Sequence, residues 1–126
     1  MLILDSGAVS RLAERSTRAL ALVRAFRASD LWPPIAPAVI LVESLHGHSG
    51  RDATTNQFLK ACTIESQVSE RTARRAAELR RRARRGSAVD AIVVALAEPG
   101  GTVITSDKAD IEDLAAHAHH VTVETI

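Results

Sequence analysis

The sequence predicts an α/β fold, with a mostly parallel sheet and helices on both of its faces, as one domain over residues 1–126. Three observations carry that prediction. Short apolar runs of strand length alternate with segments whose apolar residues recur at helical spacing. The segments between successive strands are long enough for helical crossovers. No linker, internal repeat or low-complexity stretch interrupts the chain.

Each element has its own local reason. Residues 1–5 (Met-Leu-Ile-Leu-Asp) form an apolar strand ending on a charge. A short helix follows from about Ala8 to Glu14, and a longer one from about Thr17 to Ser29 with Leu20, Val23 and Phe26 facing inward. Trp32-Pro33-Pro34-Ile35-Ala36 reads as a strand punctuated by proline, and the next helix opens at Pro37, where a first-turn proline is tolerated. A helix near Asp52 to Lys60 and a short strand near Thr63 to Glu65 precede an arginine-rich helix across Ser69 to Arg85, stopped by Gly86. The last third reads as a helix from Ala88 to about Glu98, the turn Pro99-Gly100-Gly101 and a strand from Thr102 to Thr105. A helix from Asp107 to about His117 and a strand over 121–125 complete it.

Composition narrows the class. A chain of 126 residues is large enough to bury a core without staples. Its one cysteine, Cys62, excludes an internal disulfide, lacks metal-ligand spacing and fits a buried apolar role in a reducing cytoplasm. No basic leader precedes Asp5, so no signal peptide is expected, and no apolar run approaches the roughly 20 residues of a membrane span. Net charge is only +1, yet eight of the 14 arginines fall between Arg71 and Arg85. That run is either a rail for phosphates or a solvated helix face in a chain that prefers arginine to lysine. With Phe26, Trp32 and Phe58 as the only aromatics, base stacking is not how a nucleic acid would be held.

The most informative feature is a set of five acids, Asp5, Glu43, Asp90, Asp107 and Asp110, each at the end of an apolar strand or within an apolar helix. A carboxylate held out of water costs several kcal/mol (about 2–5) unless a partner or cation compensates it. A hard divalent cation, Mg2+ or Mn2+, would compensate several at once. Asp5 and Asp107 follow the carboxyl ends of two strands, the edge at which open α/β sheets bind ligands. Each acid also has a structural reading. Asp5 can cap the following helix, Ser87-Ala88-Val89-Asp90 matches a capping box, and Asp107-Lys108-Ala109-Asp110 reads similarly. Glu43 is different, because it lies inside the apolar run Ala38 to Leu45, where capping does not apply. Asp110, three residues after Asp107, can face the same point from one helical turn. Converging carboxylates would raise one another's pKa values, and cation binding would relieve the repulsion. Metal-assisted phosphodiester hydrolysis is the natural use of such a site and needs no histidine base.

Two other acid-based chemistries fit poorly. A phosphoaspartate phosphatase of the haloacid-dehalogenase type would place an aspartate two residues after Asp5, where Gly7 stands. A response-regulator receiver would have adjacent acids before its phosphoacceptor and a lysine after a late strand, whereas Lys108 opens a helix.

Ile3-Leu4-Asp5-Ser6, Ala36-Pro37-Ala38 running to Glu43, Ala88-Val89-Asp90-Ala91-Ile92, and Thr105-Ser106-Asp107-Lys108-Ala109-Asp110 resemble the four acidic motifs of the PIN-domain family. Their order and the chain length most resemble the VapC-type toxins of bacterial toxin-antitoxin pairs, over essentially the whole chain. The resemblance implies a compact α/β/α domain and a cytoplasmic Mg2+- or Mn2+-dependent endoribonuclease that inhibits growth. It further implies a homodimer and a small antitoxin that inserts near the active site. By motif position Asp5, Glu43, Asp90 and Asp107 would form the metal-binding quartet, with Asp110 as a supporting acid. Ser6 and Ser106 would hydrogen-bond the ligands or an attacking water. Arg80, Arg81, Arg84 and Arg85 are candidates for holding substrate phosphates. Gly7 departs from the family, which often has serine or asparagine there; the quartet is intact, but that polar contribution is in question.

The alternative is a non-catalytic module that binds RNA or protein through the arginine-rich helix. A pure phosphate binder gains nothing from carboxylates facing its ligand, which favours the enzyme. His46, His48, His117, His119 and His120 lack the flanking pattern of a zinc site. Trp32 is expected at the core or an edge, and Phe26 and Phe58 in the core.

Overall fold

The apolar tripeptide Leu2-Ile3-Leu4 is buried at every residue, as a strand with neighbours on both sides must be. In the computed structural model, which describes residues 1–126, β1 (Leu2–Leu4) is the middle of a five-stranded, all-parallel sheet. The remaining strands are β2 (Ile35–Pro37), β3 (Thr63–Glu65), β4 (Thr102–Thr105) and β5 (Thr122–Thr125), in the spatial order β3-β2-β1-β4-β5. Ile3 registers with Ile35 on one side and Val103 on the other. Parallel pairing requires crossovers, and seven helices supply them: α1 (Ser6–Ala13), α2 (Thr17–Ala28), α3 (Leu41–Ser44), α4 (Ser49–Leu59), α5 (Glu70–Ala83), α6 (Ala88–Ala97) and α7 (Lys108–Ala115). α1 packs with α2, α3 and α4, and α6 with α5 and α7; both α1 and α6 also rest on β1 and β4. Leu4, Val9, Val94, Ile104 and Leu114 are among the fully buried side chains of the resulting core.

The strands over 63–65 and 102–105 match the sequence reading; α4 starts three residues before the expected Asp52, other ends shift by one or two residues, and three differences have clear local reasons. α1 starts two residues earlier than expected because Asp5 leaves the strand and caps it. The expected strand over 32–36 shrinks to Ile35–Pro37, since Pro33 and Pro34 have no N–H for a ladder. Pro37 does not open a helix. It ends β2 with extended backbone (ψ 137°), and a 3-10 turn over Ala38–Ile40 leads into the single turn of α3. β-Branched Val39, Ile40 and Val42 are weak helix formers, consistent with this brevity. No helix is long and apolar enough to cross a membrane.

Candidate metal centre

β1 and β4 end side by side, and their last residues begin the site. The Asp5 N–H donates to the Ile104 carbonyl at 3.1 Å, extending the ladder one residue beyond the strand. The Asp5 carboxylate then turns onto α1 and accepts from the Ala8 N–H at 2.6 Å, so the capping role is real. It is also 8 % exposed. Burial pushes its pKa above the ordinary carboxylate value; the neighbouring Thr105 hydroxyl and the hydrogen bond from the Ala8 N–H oppose this, and the nearby Asp90 charge adds to it.

Asp90 forms the expected capping box at the start of α6. The Ser87 N–H donates to Asp90 Oδ2 at 3.0 Å, and the Asp90 N–H donates to Ser87 Oγ at 3.0 Å. One carboxylate oxygen thus ties down the helix start, and the side chain remains close enough to Asp5 for their charges to interact. For both residues, cap and candidate ligand are one geometry, because the cap aims the carboxylate.

Asp107 occupies the N-cap position of α7, but its side chain makes no capping bond. Thr105 fixes it instead: its hydroxyl accepts from the Asp107 N–H at 3.0 Å and donates to the Asp107 carbonyl at 2.8 Å. The Asp107 carboxylate is left exposed and without a protein partner.

Glu43 corrects an expectation. The run around it is not a buried helix: Val42 is 82 % exposed and Glu43 itself faces solvent. Its carboxylate is tied to the residue after Asp5: the Ser6 hydroxyl donates to Glu43 Oε2 at 2.9 Å. Ser6 follows Asp5 directly, so the expected supporting role falls on the Glu43 carboxylate. Asp5 is the one buried member of the acidic set.

Asp110, unlike Asp107, has a cationic partner. It pairs with Arg85 Nε at 3.3 Å, while Arg85 Nη1 reaches Asp113 at 3.1 Å. Ser106 lies against Gly7, where an added Cβ would overlap the Ser106 hydroxyl and come within 3.4 Å of Asp5 Oδ1. The missing side chain at position 7 thus makes room for a hydroxyl from the next motif.

The arginine-rich helix divides into two populations. Arg75 is held by Glu98 and Glu78, Arg74 by Glu70, Arg82 by Glu78 and Arg85 by Asp110 and Asp113. Arg80 donates to the Gly86 carbonyl at 3.3 Å. Arg71, Arg81 and Arg84 are exposed without a carboxylate partner, Arg84 in the left-handed conformation (φ 56°) that ends α5.

As they lie, no three acidic, histidine or cysteine side chains are close enough to enclose an ion. The donor set nonetheless fits a hard cation. Mg2+ keeps several of its waters and needs only one or two direct carboxylates. Asp5 is a buried anion opposed by burial and by Asp90, and Asp107 has no other duty. Asp5 and Asp90 would hold the cation directly, with Glu43 and Asp107 completing the site directly or through water.

Away from this edge, half-buried Trp32 stacks edge-on against Phe58 with centroids 6.4 Å apart, and Arg27 lies 5.0 Å above its ring. With Leu12, Leu20, Val23 and Phe58 it lines an apolar cleft of about 560 Å3. Asp52 was not among the sequence candidates. It is buried, and its carboxylate accepts hydrogen bonds only from backbone amides.

Comparison with known proteins agrees with this architecture. No curated protein matches the chain. A solved structure described as FitAB bound to an IR36 DNA fragment superposes with a TM-score of 0.67 at 20 % identity, covering 99 % of this chain and 94 % of that one. At that identity the likeness speaks for the fold. The family model of the PIN domain matches residues 2–116, which include all five acids, and the chain belongs to the PIN-domain family.

Proposed function

We propose that this chain is a Mg2+- or Mn2+-dependent endoribonuclease of VapC type, the toxin of a toxin-antitoxin pair, acting in the cytoplasm to inhibit growth. The observation that carries the reading is Asp5, a buried carboxylate at the end of the central strand, unsettled by burial and by the neighbouring Asp90. That arrangement has a use if a cation joins it. PIN domains are generally metal-dependent nucleases, and the span matched by the family, 2–116, contains all five acids, whose order resembles that of the family's motifs. When bound, the cation supplies charge compensation at a phosphate and makes a coordinated water more acidic. Ser6 keeps Glu43 turned toward the site. Arg81 and Arg84, which lack acidic partners, are the arginines best able to hold substrate phosphates; Arg80 and Arg85 would first have to leave the Gly86 carbonyl and the α7 carboxylates. Cleavage would leave a 5′-phosphate and a 3′-hydroxyl.

The proposed partners are a second copy of the chain and a small antitoxin. The cleft around Trp32 is an apolar surface open to such a protein. The FitAB structure is a DNA complex, so DNA is included in the test.

The test is cleavage of total cellular RNA and of DNA by the purified chain with Mg2+ or Mn2+, against EDTA and Asp5→Asn, with product ends mapped. Metal-dependent RNA fragments that vanish in the variant are expected. Equal cleavage by variant and wild type would remove Asp5 from the mechanism. Cleavage of DNA alone would move the substrate to DNA. Intact RNA and DNA with every metal would leave the second reading, a binding module built on Arg71, Arg81 and Arg84, which their exposure and lack of acidic partners favour.

A further inference from the structure

We propose that Asp52 is a positioning residue of the acidic site, placing Glu43 by folding the loop that follows it; the inference rests on the nuclease reading above. Asp52 is 4 % exposed and forms no salt bridge, so its charge is compensated mainly by backbone dipoles, with a smaller contribution from the His46 ring. Three consecutive backbone amides do this. The His46 N–H reaches Oδ1 at 2.9 Å and Oδ2 at 3.1 Å, while Gly47 and His48 reach Oδ2 at 2.9 and 3.1 Å. Gly47 turns the loop with a left-handed φ of +76°, which lets the amides converge as an anion-binding nest. None of the three amides has a backbone acceptor, so the loop depends on the carboxylate as much as the carboxylate depends on the loop. Asp52 also sits in the first turn of α4, where the helix dipole favours negative charge. The His46 amide is the largest of the influences that hold its pKa below the ordinary value.

The consequence falls on Glu43. α3 is a single turn, Val42 on it is 82 % exposed, and the buried Ser44 hydroxyl has no hydrogen-bond partner. So short a helix has little hold of its own. Ile40 anchors it on the β2 side, and the loop clamped by Asp52 begins three residues after Glu43. α4, an 11-residue helix packed on α1, therefore sets where α3 ends, and α1 carries Ser6, the partner of Glu43. Asp52 and Ser6 fix the same carboxylate, one through the backbone and one through its oxygen.

The experiment measures Mn2+ affinity by calorimetry, with backbone amide exchange and RNA cleavage, on wild type, Asp52→Ala, Asp52→Asn, Glu43→Gln and the Asp52→Ala/Glu43→Gln double variant. Asp52→Ala is expected to weaken Mn2+ binding about tenfold, as loss of supports behind metal ligands does. The double variant should bind no more weakly than the weaker single one, because both changes remove the same placed carboxylate. Exchange should quicken over residues 43–48 while β1 and α6 stay protected. Asp52→Asn keeps one acceptor oxygen and should fall between; it carries the comparison if the alanine variant does not fold. Unchanged Mn2+ affinity in a folded Asp52 variant, or additive losses in the double variant, would overturn the positioning role while Glu43→Gln still weakened binding and left the nuclease reading standing. A wild-type chain that neither binds Mn2+ nor cleaves RNA would overturn that reading and this inference together.

Discussion

Gly7 and Ser106 share one space: a Cβ on Gly7 would fall on the Ser106 hydroxyl, so the glycine of the first acidic motif admits the serine of the last. Gly7→Ala therefore forces Ser106 to another rotamer, while alanine is the better helix former by about 1 kcal/mol. Stability is expected to change by less than about 1 kcal/mol, whereas cleavage falls about tenfold as the hydroxyl leaves the site. Ser106→Ala should reproduce the loss, and the double variant should be no worse. Additive losses in single-turnover cleavage would mean that the two residues act separately.

Asp5→Asn separates charge from cap, since an amide oxygen can still accept from the Ala8 N–H. The wild-type carboxyl titrates above its unfolded value of 3.8. Metal-free stability from this group therefore declines as pH rises from 3.8 through the raised native value, and the penalty is complete above it. The variant lacks that penalty. In EDTA at pH 7 it is expected to melt at or above the wild-type temperature, to gain little from Mn2+, and not to cleave. A lower melting temperature in EDTA would show that the charge stabilises the fold.

Asp90 separates in the same way. Asp90→Ala breaks the capping box with Ser87 and is expected to cost about 1 kcal/mol in urea unfolding. Asp90→Asn keeps an acceptor for the Ser87 N–H and should cost less, yet lose Mn2+ binding as fully as the alanine variant. Retained Mn2+ affinity in the asparagine variant would reduce Asp90 to a cap.

Glu98, at the opposite end of α6, contributes to acid sensitivity. Arg75 donates to it through Nε at 2.9 Å and Nη2 at 2.7 Å, and the His119 N–H adds a bond of 2.7 Å. The Arg75 guanidinium is the main reason that the Glu98 carboxyl titrates below 4.5. This pair therefore stabilises the protein above pH 4.5, and its contribution is lost as pH falls through the lowered native value. Glu98→Gln is expected to cost about 2 kcal/mol at pH 7. The two proteins should converge in stability once pH falls below the lowered native value, and curves that stay parallel throughout the acid range would exclude Glu98 as a titrating group.

Where most strands and helices lie, β2 and α3 excepted, was legible in the sequence because periodicity and caps are local. The apolar run of β1, the Ser87 to Asp90 capping box and the turn before Thr102 all lie within a few residues of the structure they set. The five acids stood out in the sequence because each lies in an apolar run. What only the tertiary structure decided is what each charge meets. Glu43 sits on a solvent-facing turn and is joined to the site by Ser6, 37 residues away. Asp110 is drawn to Arg85. Asp52, unremarkable in sequence, is buried in a nest of amides, and Gly7 is explained by Ser106, 99 positions later in the chain. Burial and charge pairing depend on residues that the parallel crossovers bring together from distant parts of the chain, and no local pattern encodes those neighbours.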